Sequence, residues 1–175
     1  YLDLTIQGTE DNTDISSTLM GIIFQKFSCI NINNKSFSSI YLPTGDIELE
    51  SFAISGGNIE MTGGISITAD ASISIESVKI YTKNEDKMSL NLICKNTNVY
   101  DISVDSYLSI KVIGIKPSTT NEYMEGEVSF NNITYNLTDE IEKGYPKVKP
   151  DPLIDISNVY KVRMSDIYIY GAQTY

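Results

Sequence analysis

Apolar and polar residues change places at every step through much of this chain. In Ile65-Ser66-Ile67-Thr68-Ala69 and Ile73-Ser74-Ile75-Glu76 the isoleucines recur with a period of two, which places them on one face of an extended strand. The same period runs through Leu2-Asp3-Leu4-Thr5-Ile6, Ile47-Glu48-Leu49-Glu50, Val78-Lys79-Ile80-Tyr81, Ser89-Leu90-Asn91-Leu92, Leu108-Ser109-Ile110-Lys111-Val112 and Ile167-Tyr168-Ile169-Tyr170. Turn-forming clusters separate these runs: Pro43-Thr44-Gly45-Asp46, Gly56-Gly57-Asn58, Gly63-Gly64, Lys83-Asn84-Glu85-Asp86, Lys95-Asn96-Thr97-Asn98 and Lys116-Pro117-Ser118. Short strands at such spacing predict an all-β sandwich or barrel. The expectation is a single domain over residues 1–175, a mostly antiparallel β-sandwich of immunoglobulin-like or jelly-roll-like form with at most one short helix.

Helical periodicity is scarce. Over residues 14–27, Asp14 is placed to cap a helix carrying Ile15, Leu19, Ile22, Ile23 and Phe27, and a strand from Ile22 to Ile32 is the rival. One further turn fits Thr138 to Lys143, with acids leading and a lysine trailing. Tyr145 to Pro152 holds three of the five prolines and is expected to be an extended connector within the same body.

Composition narrows the chemistry. The 175 residues include no histidine, no tryptophan and two cysteines. Without imidazole there is no Ser-His-Asp or Cys-His relay and no zinc site of the usual kinds. No carboxylate, lysine or tyrosine falls into a catalytic spacing, so the expectation is a protein that is not an enzyme, without cofactors. A carboxylate-pair glycosidase is the one enzyme class left, and no pair of acids at strand ends recommends it. Thirteen basic against 23 acidic residues give a net charge of −10. That field repels phosphate backbones and anionic membranes, which argues against nucleic acid as a partner. The longest apolar run, Leu19 to Phe24, is far short of the ~20 residues of a membrane helix, so no membrane insertion is expected. The opening at Tyr1, without Met or leader, suggests a removed leader or a trimmed start.

Cys29 and Cys94 both lie in apolar, strand-like runs. A single disulfide between them and two buried thiols acting as small hydrophobes fit this pattern equally well. Asn34, Asn132 and Asn136 each open an N-glycosylation sequon, which favours an exported protein. Two acidic groups, Glu10-Asp11-Asn12-Thr13-Asp14 and Asp101 with Asp105, carry oxygens of the kind calcium takes, without EF-hand order; solvated loops are the simpler account.

Two segments resemble known families. Ile59, Ile67 and Ile75 are eight apart, with Gly57, Ile65 and Ile73 on a second eight-residue register; residues 57–80 thus resemble phage spike proteins, whose needle is a trimeric β-helix of octads. Residues 75–114, with Asn96-Thr97-Asn98 between two apolar runs, resemble the water-stress/hypersensitive-response domain of late-embryogenesis-abundant type 2 proteins. That second resemblance implies an immunoglobulin-like sandwich, a binding or protective module without catalytic residues.

The last feature is tyrosine, twelve in all, with Tyr160, Tyr168, Tyr170 and Tyr175 crowding the C-terminal stretch. Tyrosine marks interfaces because one end of the side chain is apolar and the other wet. Another copy of the chain is the expected partner; carbohydrate is the other class such residues serve. The sequence therefore predicts a structural subunit of an extracellular, cell-surface or virion assembly, a homo-oligomer or filament joined by β-strand and aromatic contacts. The alternative is a cell-surface module binding carbohydrate or a host receptor.

Overall fold

The computed structural model describes residues 3–7, 13–15, 27–33, 37–42, 44–82, 88–115, 125–137 and 152–171. They form twelve strands and, among the described residues, no helix: β1 (Asp3–Gln7), β2 (Thr13–Ile15), β3 (Cys29–Asn33), β4 (Phe37–Tyr41), β5 (Gly45–Ser55), β6 (Asn58–Met61), β7 (Ile65–Thr82), β8 (Met88–Val104), β9 (Leu108–Ile113), β10 (Glu127–Asn136), β11 (Ile154–Ser157) and β12 (Lys161–Tyr170). All of them belong to one sheet. Every pairing in it is parallel.

The register shows how the sheet is wound. β7 runs along one side of β8 throughout, whereas the other side of β8 pairs first with β9 and then with β10. Following Cα partners up one column gives Leu4, Ile30, Phe52, Ile73, Thr97, Val128 and Val162, one residue from each of seven successive passes of the chain. From the third pass on, each contributes to three faces. In the fourth and fifth passes these are Ile65–Ala69 and Leu90–Cys94 on the first face, Ser72–Glu76 and Asn96–Tyr100 on the second, and Val78–Ile80 and Ile102–Val104 on the third. Ile67, Ile75 and Ile80, from three different faces, are all buried in a single apolar cluster. A sheet whose own inward side chains cover one another is rolled on itself, so the described residues form a parallel β-solenoid of seven coils.

The packing follows from the alternation. Inward columns are apolar: Ile47, Ile67, Leu92 and Val112 on the first face, Ile32, Ile54, Ile75, Val99 and Phe130 on the second, Ile59, Ile80, Val104 and Tyr135 on the third. Each fully buried isoleucine contributes about 2 kcal/mol before chain entropy is set against it. Residues between them, such as Asp46, Glu48, Asn98 and Tyr100, face solvent.

The bend between second and third faces is a single residue in the left-handed region. Ser77, Asp101, Asn132 and Asp166 have φ of +53°, +55°, +55° and +55°, and flanking registers stack them in one column. Asn and Asp tolerate this conformation best among residues with a side chain, and here they also bond across coils. Asn132 Nδ2 donates to Asp101 Oδ1 at 2.8 Å, and Ser77 Oγ donates to Asp101 Oδ2 at 3.1 Å.

Several expectations are corrected. The mostly antiparallel sandwich is replaced by parallel coils, because Gly56-Gly57-Asn58 and Gly63-Gly64, expected to close hairpins, are corners at which the chain turns without reversing; residues 83–86 and 116–118 lie outside the described residues. Asn96-Thr97-Asn98, expected as a turn between core strands, lies inside β8 and opens its second-face segment. Asp14 and Ile15, expected at the start of a helix, are in strand β2, and the rival strand is realised in part as β3; residues 16–26 and 138–143 lie outside the described residues. Ile59, Ile67 and Ile75, eight apart in sequence, are core positions on the third, first and second faces, a third of a coil apart.

Candidate functional site

The seventh coil, β11 with β12, is where the interior opens. Among the described residues the inward positions of the second to sixth coils are nearly all buried, and in the seventh burial falls away. Val128 is 0 % exposed and Val162 above it 44 %; Phe130 is 1 % and Met164 48 %; Tyr135 is 0 % and Ile169 47 %. Tyr160, Tyr168 and Tyr170 add exposed aromatic surface on the same coil. β12 pairs with β10 alone, and β11 with β9 alone, so among the described residues the far edge of this coil meets no strand. An apolar patch bounded by an unpaired strand edge is the usual mark of an interaction surface.

The sixth coil fixes the seventh in place. Ser109 Oγ donates to the Pro152 carbonyl at 2.6 Å, Tyr135 Oη to the Leu153 carbonyl at 2.8 Å, and the Ile110 amide to the same carbonyl at 2.9 Å. Burial pushes the Tyr135 hydroxyl far above its ordinary pKa, so it remains a donor at any working pH. Two glycines permit the close approach of neighbouring coils. A Cβ at Gly114 would fall 1.9 Å from the Asn158 carbonyl oxygen, and one at Gly126, whose φ is +107°, 2.0 Å from that of Lys95. On the outer surface Lys161 and Arg163 both reach Glu127, at 3.2 and 3.6 Å. The Lys161 hydrogen bond holds the Glu127 carboxyl below its ordinary pKa.

A second feature is a shallow groove of about 340 Å³ along the left-handed corners, lined by Ser77, Lys79, Asp101, Ser103, Asn132 and Thr134. Its polar groups are largely engaged with one another: Asp101 accepts from Ser77 and Asn132, and Lys79 pairs with Asp105.

The residues singled out in the sequence are distributed as follows. Tyr160, Tyr168 and Tyr170 come together on the open coil, while Tyr175 lies outside the described residues. Cys29 and Cys94 are not bridged. Their coils are three apart, through Cys29–Ser51, Ser51–Ser72 and Ser72–Asn96, and three strand spacings of about 4.8 Å exceed the ~7 Å a disulfide spans. The buried-thiol alternative describes Cys94, whose Sγ donates to the Asn96 carbonyl at 3.2 Å and whose pKa burial raises. Cys29 is half-buried, 3.9 Å from a Glu50 oxygen. Asn132 and Asn136 are exposed, Asn132 with its amide committed to Asp101; Asn34 lies outside the described residues. Asp101 and Asp105 are held by side-chain partners, and no group of three or more candidate metal ligands occurs among the described residues. Residues 10–12 lie outside the description, and Asp14 is in β2.

Sequence reasoning missed the apolar inward set of the last coil, Val162, Met164 and Ile169, as part of the candidate surface. Alternation gave no signal for them, since these residues occupy the same inward phase as buried positions one coil earlier. No protein-family model, curated protein or solved structure matches this chain.

Proposed function

We propose that this chain is a non-enzymatic structural module, a rod-like subunit of an extracellular, cell-surface or virion assembly that associates with further copies through its open seventh coil. The observation that carries this reading is the failure of burial at Val162, Met164 and Ile169, directly above Val128, Phe130 and Tyr135. Leaving so much apolar surface wet is unfavourable by roughly 25 cal/mol per Å², and a partner strand would recover it. The absence of histidine supports a non-catalytic role. So does the mutual engagement of Asp101, Asp105 and Glu127 with neighbouring side chains. Sequons at exposed Asn132 and Asn136 accord with export.

Light scattering on the purified chain, with negative-stain microscopy, tests the reading. Concentration-dependent growth into rods or filaments is expected; a species that stays at 19.5 kDa at every concentration overturns it. The corner groove favours a second reading, a carbohydrate-binding module, because Asp101, Asn132, Ser103 and Thr134 present polar groups side by side. Saturable glycan binding abolished by Asn132→Ala, in a chain that remains monomeric, would select that reading instead.

A further inference from the structure

We propose that copies join head to tail, the first coil of one copy laid on the seventh coil of the next with the column register unbroken, so that Leu4 takes the position above Val162, Ile6 above Met164 and Ile15 above Ile169. This rests on the structural reading above and specifies its partner and geometry.

The stacking rule inside the molecule supplies the first argument. All seven coils are related by parallel pairing, so the free edge of β12 offers the next strand the same run of donors and acceptors that β10 offers β12. At the other end β1 pairs with β3 alone and β2 with β4 alone, which leaves the complementary edge unpaired among the described residues. A second copy placed by translation along the axis satisfies both edges with strands running the same way. Column membership then follows without choice. Leu4 and Ile6 belong to the columns of Val162 and Met164 through Ile30 and Ile32, and Ile15 to that of Ile169 through Ile40, Ile59 and Ile80. All three junction positions are apolar on both sides.

Charge supplies the second argument. Residues 1–25 contain Asp3, Glu10, Asp11 and Asp14 and no lysine or arginine, a net −4, while residues 152–171 balance Asp155 and Asp166 with Lys161 and Arg163. In a chain of net −10 the last coil is thus a local neutral end carrying two cations. Continuing the register brings position 3 beside position 161, which extends the column Glu127, Lys161 with Asp3. A two-fold contact of seventh coil on seventh coil would instead join two ends of no net charge and leave the acidic first coil without a complement. A head-to-tail contact does not close on itself, so its product is a filament.

The test mixes two chains in a Cys29→Ser background, which keeps only the buried Cys94, one with Thr5→Cys added and the other with Arg163→Cys. Both native residues are exposed and share one outward column, and adjacent strands about 4.8 Å apart lie within disulfide span. The expected result on mild oxidation is a mixed 5–163 dimer as the dominant product, with a weaker yield when Lys161→Cys replaces Arg163→Cys. Lys161→Asp should weaken association about fivefold, and Asp3→Lys in the partner copy should restore it. Self-association with 163–163 or 5–5 products dominant, or with no cross-link, overturns this arrangement while leaving the structural reading standing. A chain that does not self-associate overturns both.

Discussion

Replacing Gly114 by alanine should detach the last coil while sparing the rest of the molecule. The methyl would stand 1.9 Å from the Asn158 carbonyl oxygen, 2.7 Å from its carbonyl carbon and 3.0 Å from Val159 Cγ1. Side-chain carbons essentially never approach backbone closer than 3.0 Å, so the sixth and seventh coils must part locally by more than an ångström. That displacement breaks the bond from the Gly114 amide to the Ser157 carbonyl, 2.8 Å in the native structure, and presses on Asn158, itself held at a φ of 56°. Overpacking against atoms that cannot rotate away costs up to about 3 kcal/mol, and the broken bond adds about 1 kcal/mol. Because coils touch only their neighbours, the loss falls on the junction of the sixth and seventh. The assay is native-state hydrogen exchange with urea unfolding. Amides of β12 should lose protection by two to three orders of magnitude, while those of β7 and β8 keep theirs. Unchanged protection through residues 161–170 in Gly114→Ala would refute the close approach and the coil stacking behind it.

Three further outcomes follow from single sites. Thr97 lies in the apolar column between Ile73 and Val128, and among the described residues its buried hydroxyl oxygen meets no polar group stronger than the Cys94 thiol, so Thr97→Val should raise stability by about 1 kcal/mol in urea titration. Asp101→Ala removes a residue suited to the left-handed corner together with its bonds to Ser77 and Asn132, and should cost about 2 kcal/mol by the same measurement. Thiol titration of the native protein should modify half-buried Cys29 at least tenfold faster than Cys94, which is buried and whose pKa burial raises; equal rates would contradict the placement of Cys94.

The strands were legible in the sequence and their arrangement was not, for reasons specific residues show. Ile65-Ser66-Ile67 and Ile73-Ser74-Ile75 alternate because one face of each is interior and the other wet, and that is equally true of an antiparallel sandwich. Sheet direction leaves no mark on such a pattern. A sharper signal was present at the corners. Ile75-Glu76-Ser77-Val78-Lys79-Ile80, Val99-Tyr100-Asp101-Ile102-Ser103-Val104, Phe130-Asn131-Asn132-Ile133-Thr134-Tyr135 and Met164-Ser165-Asp166-Ile167-Tyr168-Ile169 each alternate, slip by one polar residue, and alternate again. The slipped residue is the left-handed corner, and the slip restores the inward phase on the next face. Unequal coil lengths hide the repeat: Ser77, Asp101, Asn132 and Asp166 are 24, 31 and 34 residues apart in turn. Of the candidate surface, the tyrosines could be found by composition. The exposure of Val162, Met164 and Ile169 could not, since their alternation matches that of buried neighbours and only the end of the stack uncovers them.

The open end and the assembly both depend on the coil register. Distances between spin labels on one outward column, in labelled protein diluted with unlabelled chains, measure that register. Thr5, Asn31, Asn98 and Arg163 are exposed members of that column, in the first, second, fifth and seventh coils. At about 4.8 Å per coil, the backbone separations are about 19 Å for Thr5–Asn98, 24 Å for Asn31–Arg163 and 29 Å for Thr5–Arg163. Label distances should rise in this order by one strand spacing per coil. Distances that fail to grow with coil number, as in two sheets packed about 10 Å apart, would contradict the register.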